Sequence, residues 1–175
     1  MVAECIEART NTLFDGALVV RQAKGGYRFS IDAVLLAGLT RVKPHDRVVD
    51  LGTGCGVVAL ILGFRRSGQH VLGLEIQGEL AALAADNVER NGLSDRVTVL
   101  QGDFRRIEEL LPPQCADLVV SNPPYRRLRS GRVNPEGQRA WARHELIGSV
   151  ADIYAAGRYL LGRNGRRRSE IDRLC

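Results

Sequence analysis

Val48-Val49-Asp50-Leu51-Gly52-Thr53-Gly54-Cys55-Gly56 runs from an apolar strand into a glycine-rich turn, and the apolar stretch from Val57 continues as a helix. Glycines let a backbone bend sharply and come within contact distance of a ligand. Strand, glycine turn and helix in that order form the context of a nucleotide loop. The spacing is Gly-x-Gly-x-Gly, not the Gly-x-Gly-x-x-Gly of pyrophosphate binders, which favours a cofactor without a diphosphate.

Outward from this turn, strands and helices alternate. Gly56 to Ser67 reads as a helix, His70–Glu75 as a second strand, and Leu80, Leu83, Ala84 and Val88 recur at helical spacing up to the stop at Asn91-Gly92. Val97–Gln101 reads as a third strand, Ile107–Leu111 as a short helix, and Ala116–Ser121 as a fourth strand, apolar enough to be covered on both faces. Glu145–Leu161 reads as a helix with Ile147, Val150, Ala151, Tyr154 and Leu161 on one side. Ahead of the turn, Val19–Gln22 and Tyr27–Phe29 suggest a hairpin around Ala23-Lys24-Gly25-Gly26, followed by a short helix through Ala33–Ala37 that Ser30 or Asp32 can cap. The alternation predicts an α/β fold with a parallel sheet and helices on both faces. Right-handed crossovers then bring Gly52–Gly56, Glu75, Asp103 and Asn122 to the carboxyl edge of the sheet, where such folds bind ligands.

Glu75 ends its strand nineteen residues after Gly56, and a carboxylate there can accept both hydrogens of a ribose diol. Asp103 suits an exocyclic amine and Phe104 a ring face. Asp50 can meet an ammonium directly or through water. As the lesser reading, Asp50 and Asp103 merely cap the helices that follow them.

Asn122-Pro123-Pro124-Tyr125 follows the fourth strand, seventy residues beyond Gly52. An adenine-type amino group is a poor nucleophile because its lone pair is delocalised into the ring. Two acceptors, the Asn122 side-chain oxygen and the Pro123 carbonyl, favour a pyramidal nitrogen and stabilise the charge that develops on it. Pro123 and Pro124 pre-set the turn, and Tyr125 offers a ring on which an extruded base can stack. Taken alone, the segment is an ordinary Pro-Pro turn capped by Asn122. Paired with the glycine turn it reads as methyl transfer from S-adenosylmethionine to a planar nitrogen.

The chain has 175 residues, 45% hydrophobic and 26% charged, as one domain with a core requires. No stretch approaches the about eighteen apolar residues of a membrane span, and no leader opens the chain, so a cytoplasmic protein without a membrane partner is expected. Cys5, Cys55, Cys115 and Cys175 are scattered, and His45, His70 and His144 show no ligand spacing, so no metal is expected. Residues 1–125 carry a net charge of −2, residues 126–143 a net +5 and residues 158–173 a net +4. The basic run thus begins where Asn-Pro-Pro-Tyr ends. Arg126, Arg127, Arg129 and Arg132 are candidate phosphate contacts, although a solvated arginine loop reads equally well on charge.

Residues 14–161 resemble the class I S-adenosylmethionine-dependent methyltransferases, in the subgroup with an Asn-Pro-Pro-Tyr turn. Tyr27-Arg28-Phe29-Ser30-Ile31-Asp32-Ala33-Val34-Leu35-Leu36-Ala37 and Ala142-Arg143-His144-Glu145 resemble bacterial tRNA (valine) adenine-N6 methyltransferases. The resemblance implies a Rossmann-like sheet, an RNA partner (tRNA), and a cofactor site built from Asp50, Gly52, Thr53, Gly54, Gly56, Glu75, Asp103, Phe104 and Asn122. It also makes the hairpin and its helix a lid, with Tyr27 and Phe29 sheltering the cofactor; the pair can instead simply pack the hairpin. Three segments are expected: 1–46 as hairpin and lid helix, 47–161 as the cofactor-binding core, and 162–175 as a divergent basic tail without a strand-like run. Against the family's seven-stranded sheet, that tail implies missing last strands and an unpaired edge on the fourth strand. Three alternatives stand beside adenine methylation in RNA: methylation of a protein glutamine amide, adenine methylation in DNA, ranked lower because nothing resembles a separate target-recognition domain, and a truncated inactive fragment that binds nucleotide or RNA.

Overall fold

The computed structural model describes residues 8–23, 29–65, 70–123 and 149–169, with backbone alone over 163–169. Seven strands and five α-helices are found among these residues: β1 (Ala8–Leu13), β2 (Leu18–Ala23), α1 (Ile31–Leu39), β3 (Arg47–Leu51), α2 (Val57–Arg65), β4 (His70–Glu75), α3 (Gly78–Arg90), β5 (Val97–Gln101), α4 (Ile107–Leu110), β6 (Ala116–Ser121), α5 (Val150–Leu160) and β7 (Leu161–Ser169). A single 3₁₀ turn, Phe104–Arg106, precedes α4. Five strands form a parallel sheet in the order β5-β4-β3-β6-β7.

Strand β3 sends alternate side chains to opposite faces. Val48 joins a core cluster with Leu60, Ile61, Val71, Leu118 and Val120, while Val49 and Leu51 join another with Leu74, Phe104, Ile107, Val119 and Leu160. Helix α2 is buried at every position from Val57 to Gly63, as a helix enclosed all round must be. On the opposite face, α5 is capped reciprocally at its start: Ser149 Oγ accepts from Asp152 N–H at 3.2 Å, and Asp152 Oδ2 accepts from Ser149 N–H at 2.7 Å.

One pairing is added and two expectations are corrected. Strand β2 pairs with β1, a partner the sequence did not announce: Leu13 pairs with Leu18 across a turn in which Phe14, Asp15 and Gly16 have φ of 53°, 54° and 89°. Segment 24–28, Tyr27 included, lies outside the described residues. Helix α5 turns Ile153, Ala156, Gly157 and Leu160 inward and leaves Val150, Ala151 and Tyr154 exposed. Ile153, Ala156 and Leu160 join the core cluster of Phe104, Ile107 and Val119. Finally, of the stretch read as a strandless tail, residues 162–169 belong to β7, whose register pairs Leu118 with Arg166 and Ser121 with Ser169, while 170–175 lie outside the described residues. The β6 edge is therefore covered. Pairing there needs only backbone groups, and charged residues are ordinary on the outermost strand of a sheet.

Candidate active site

The sheet reverses direction of growth at β3: β4 and β5 lie on one side, β6 and β7 on the other. A crevice opens outside the carboxyl ends at such a point. Leu51 pairs with Ser121, so the next residues, Gly52 and Asn122, leave neighbouring strands side by side. The Ser121 hydroxyl donates to the Leu51 carbonyl at 2.8 Å and ties the two exits together.

Gly52, Gly54 and Gly56 have φ of 72°, 59° and 86°, a region in which only glycine is unstrained. Their surroundings differ. A Cβ at Gly52 or Gly54 would meet nothing within 4 Å, whereas one at Gly56 would lie 3.2 Å from Ala84 Cβ. The first two thus keep the outer surface of the turn open, and the third lets α2 and α3 pack. The turn is held from beneath: Gly52 N–H and Thr53 N–H both donate to the Leu74 carbonyl, at 2.9 and 3.0 Å. Gly54 N–H donates to Glu75 Oε2 at 2.8 Å, and Gln77 N–H donates to Glu75 Oε1 at 2.9 Å. Each oxygen of this buried carboxylate keeps a lone pair for a second donor.

Asp50 is 1% exposed, and its Oδ2 accepts from Thr53 Oγ1 at 2.6 Å. Burial pushes the Asp50 carboxyl up to about 7; the Thr53 hydroxyl opposes the shift and Glu75 adds to it. Burial of this kind disfavours the charged form of a carboxyl. Burial also pushes the Cys55 thiol up to about 11, which leaves it an inert packing group. No group of three His, Cys, Asp or Glu side chains is placed to hold a metal ion among the described residues.

Asn122 and Pro123 are half-buried at the end of β6, and Asn122 Oδ1 is a buried acceptor with no hydrogen-bond partner among the described residues. Such an orphan costs about 1–3 kcal/mol unless something donates to it. Pro124, Tyr125, Arg126, Arg127, Arg129 and Arg132 lie outside the described residues.

The remaining sites expected from sequence divide. Asp103 caps the 3₁₀ turn: its Oδ1 accepts from Arg105 N–H at 2.9 Å, and the Arg105 guanidinium, 2.6 Å from Oδ2, holds the carboxyl below its usual range. Phe104 is buried among Val49, Leu51 and Ile107. Phe29 packs against the opposite core cluster, and its N–H donates to Gln22 Oε1 at 2.9 Å.

Ser121, Gly73 and Asn87 also shape the site, and sequence reasoning passed over them. Asn87 is 0% exposed and sits on the inward face of α3 with Leu83, Ala84 and Val88. A polar residue in register with an apolar stripe was the available signal.

Residues 30–135 match the family model described as "Methyltransferase small domain". The chain is 37% identical over 142 residues to the tRNA1(Val) (adenine(37)-N6)-methyltransferase of Bacteroides fragilis (strain YCH46), covering 81% of this chain and 59% of that one. It is 34% identical over 145 residues to the protein of the same name from Porphyromonas gingivalis (strain ATCC 33277), covering 79% and 56%. The chain thus spans less than two-thirds of the length of these curated relatives. In fold it is similar to a SAM-dependent methyltransferase from Thiobacillus denitrificans in complex with S-adenosyl-L-homocysteine, with a TM-score of 0.57, 17% identity, and coverage of 81% and 48%.

Proposed function

Because the chain belongs to the methyltransferase small-domain family, we propose that it carries S-adenosylmethionine in the glycine turn and methylates the N6 amino group of an adenine in RNA, with tRNA as the substrate class. The observation that carries this reading is the orphaned Asn122 oxygen, one residue past the β6 position that pairs with the end of β3.

The residues present fit such a cofactor. The open outer surface at Gly52 and Gly54 admits close approach. Glu75 keeps lone pairs for a ribose diol after bracing the turn, and Asp50 is a buried carboxylate awaiting an ammonium. Asp103 accepts from the adenine amine on the oxygen lone pairs that Arg105 leaves, with Phe104 beneath and Tyr27 and Phe29 covering. The cofactor supplies an electrophilic methyl on a sulfonium. Everything else falls to the protein.

Asn122 Oδ1 accepts one hydrogen of the target amine and the Pro123 carbonyl accepts the other, which directs the nitrogen lone pair away from the ring. Positive charge grows on that nitrogen as it is methylated, and the two acceptors stabilise it. No strong base is required, since the methylated nitrogen is acidic enough to lose its proton to water. Pro124 fixes the turn, Tyr125 stacks on the extruded base, and Arg126, Arg127, Arg129 and Arg132 meet phosphates. The work takes place in the cytoplasm, where tRNA is found.

The likeness to tRNA adenine-N6 methyltransferases supports RNA over a protein amide; Asn122 would serve either. Incubation with methyl-labelled cofactor and separate pools of tRNA, ribosomal RNA and protein decides. Label in tRNA supports the reading, and label in protein alone replaces it with glutamine-amide methylation. No label in any pool rejects turnover and leaves a nucleotide-binding domain.

A further inference from the structure

Helix α3 grips the hairpin with two side-chain amides one helical turn apart. Val19 and Arg21 are two residues apart on β2, so their backbone groups face one edge. Asn91 Oδ1 accepts from Val19 N–H at 2.8 Å, and Asn91 Nδ2 donates to the Val19 carbonyl at 2.7 Å. Asn87 repeats the pattern on Arg21: its Oδ1 accepts from Arg21 N–H at 2.8 Å and its Nδ2 donates to the Arg21 carbonyl at 2.9 Å. The two amides act as a strand would, and the Arg21–Asp86 ion pair at 2.7 Å reinforces them.

Asn87 does something Asn91 does not. Its Nδ2 also donates to the Cys55 carbonyl at 2.9 Å. That carbonyl belongs to the peptide plane whose N–H is that of Gly56, which donates to the Thr53 carbonyl at 2.9 Å. One fully buried carboxamide thus fixes both a hairpin backbone and a peptide plane of the glycine turn. The hairpin continues to Gln22, whose side chain accepts from Phe29 N–H.

We propose that Asn87 is a positioning residue that couples the hairpin to the glycine turn, so that cofactor in the turn and a fastened hairpin strengthen one another. The cofactor half of this statement rests on the function proposed above; the coupling itself does not. Loss of either Nδ2 hydrogen bond frees the elements to move separately, which is a coupling between sites and not only a contribution to stability.

Native-state hydrogen exchange on the full chain tests this. Without ligand, the Arg21 and Gly56 amides of the wild-type chain are expected to share one opening constant. Asn87→Asp keeps the acceptor for Arg21 N–H but loses both donors, and is expected to speed exchange at both amides by about tenfold. Asn91→Ala is expected to speed Val19 and leave Gly56 unchanged. S-adenosylhomocysteine is expected to slow Arg21 in the wild type and to lose that effect in Asn87→Asp. Faster exchange at Arg21 with Gly56 unaffected would overturn the proposal, as would ligand protection of Gly56 that never reaches Arg21. Should Asn87→Asp not fold, unequal wild-type opening constants at Arg21 and Gly56 overturn it on their own. Absence of any ligand protection at Gly52–Gly56 would instead sink the cofactor reading, and the ligand-free exchange would still judge the coupling.

Discussion

Leu51 and Ser121 face each other in adjacent parallel strands, and the Ser121 hydroxyl donates to the Leu51 carbonyl across 2.8 Å. This clamp sets the separation of the two chain exits to which the proposed function assigns cofactor and target. Ser121→Ala removes the donor and is expected to lower stability by about 1 kcal/mol, with a larger fractional loss in turnover than in cofactor affinity. Urea unfolding and binding titrations on one preparation read both. Equal loss in binding and turnover would count against the clamp.

Asp50 gives the protein a pH signature. Burial pushes its carboxyl up to about 7 from the ordinary 3.8. The folded chain holds this proton between those values while the unfolded chain has released it. The group's contribution to stability is therefore full below 3.8, declines as pH rises towards about 7, and is level above that. Asp50→Asn is expected to flatten the decline in urea midpoints over the same window. Cofactor binding should run the other way and strengthen as pH rises through that range, because the ammonium needs the ionised carboxylate.

Gly73 lies beneath the turn. A Cβ there would approach Thr53 Cγ2 to 2.9 Å and Thr53 Oγ1 to 3.0 Å, displacing the hydroxyl that Asp50 accepts. Gly73→Ala is expected to cost about 1–3 kcal/mol, measured by thermal or urea unfolding. Adding Thr53→Ser removes Cγ2 and should recover part of the loss. A Gly73→Ala chain as stable as the wild type would show that the turn is not seated as described.

Strand β7 covers β6. Removing residues 161–175 bares the β6 backbone edge, and association in size-exclusion chromatography is the expected result. A shortened chain that stays monomeric and melts unchanged would show that β7 contributes little.

Strands β3 to β6 could be read from sequence because their faces are covered and their residues correspondingly apolar. Strand β1, Ala8-Arg9-Thr10-Asn11-Thr12-Leu13, could not: its half-exposed pattern shows no alternation, and its partner is chosen by a turn of positive-φ residues. Strand β7 escaped for a related reason, since backbone pairing on an outer strand leaves no apolar trace. On α5 two stripes compete at helical spacing, and packing selects the one that carries Ile153 and Leu160. Within the site, the glycines, Asp50, Glu75 and Asn122 announce themselves by position after strands. Asn87 does not, because an asparagine in a helix ordinarily reads as solvent-facing.

In the proposed reaction the unpartnered Asn122 oxygen accepts a hydrogen of the adenine amine. Enzymatic digestion of tRNA after incubation with S-adenosylmethionine, followed by nucleoside mass spectrometry, tests it most directly. N6-methyladenosine is expected from the wild-type chain, with a rate lowered by about 10²–10³-fold in a folded Asn122→Ala chain that still binds cofactor. N6-methyladenosine formed equally fast by Asn122→Ala would contradict it.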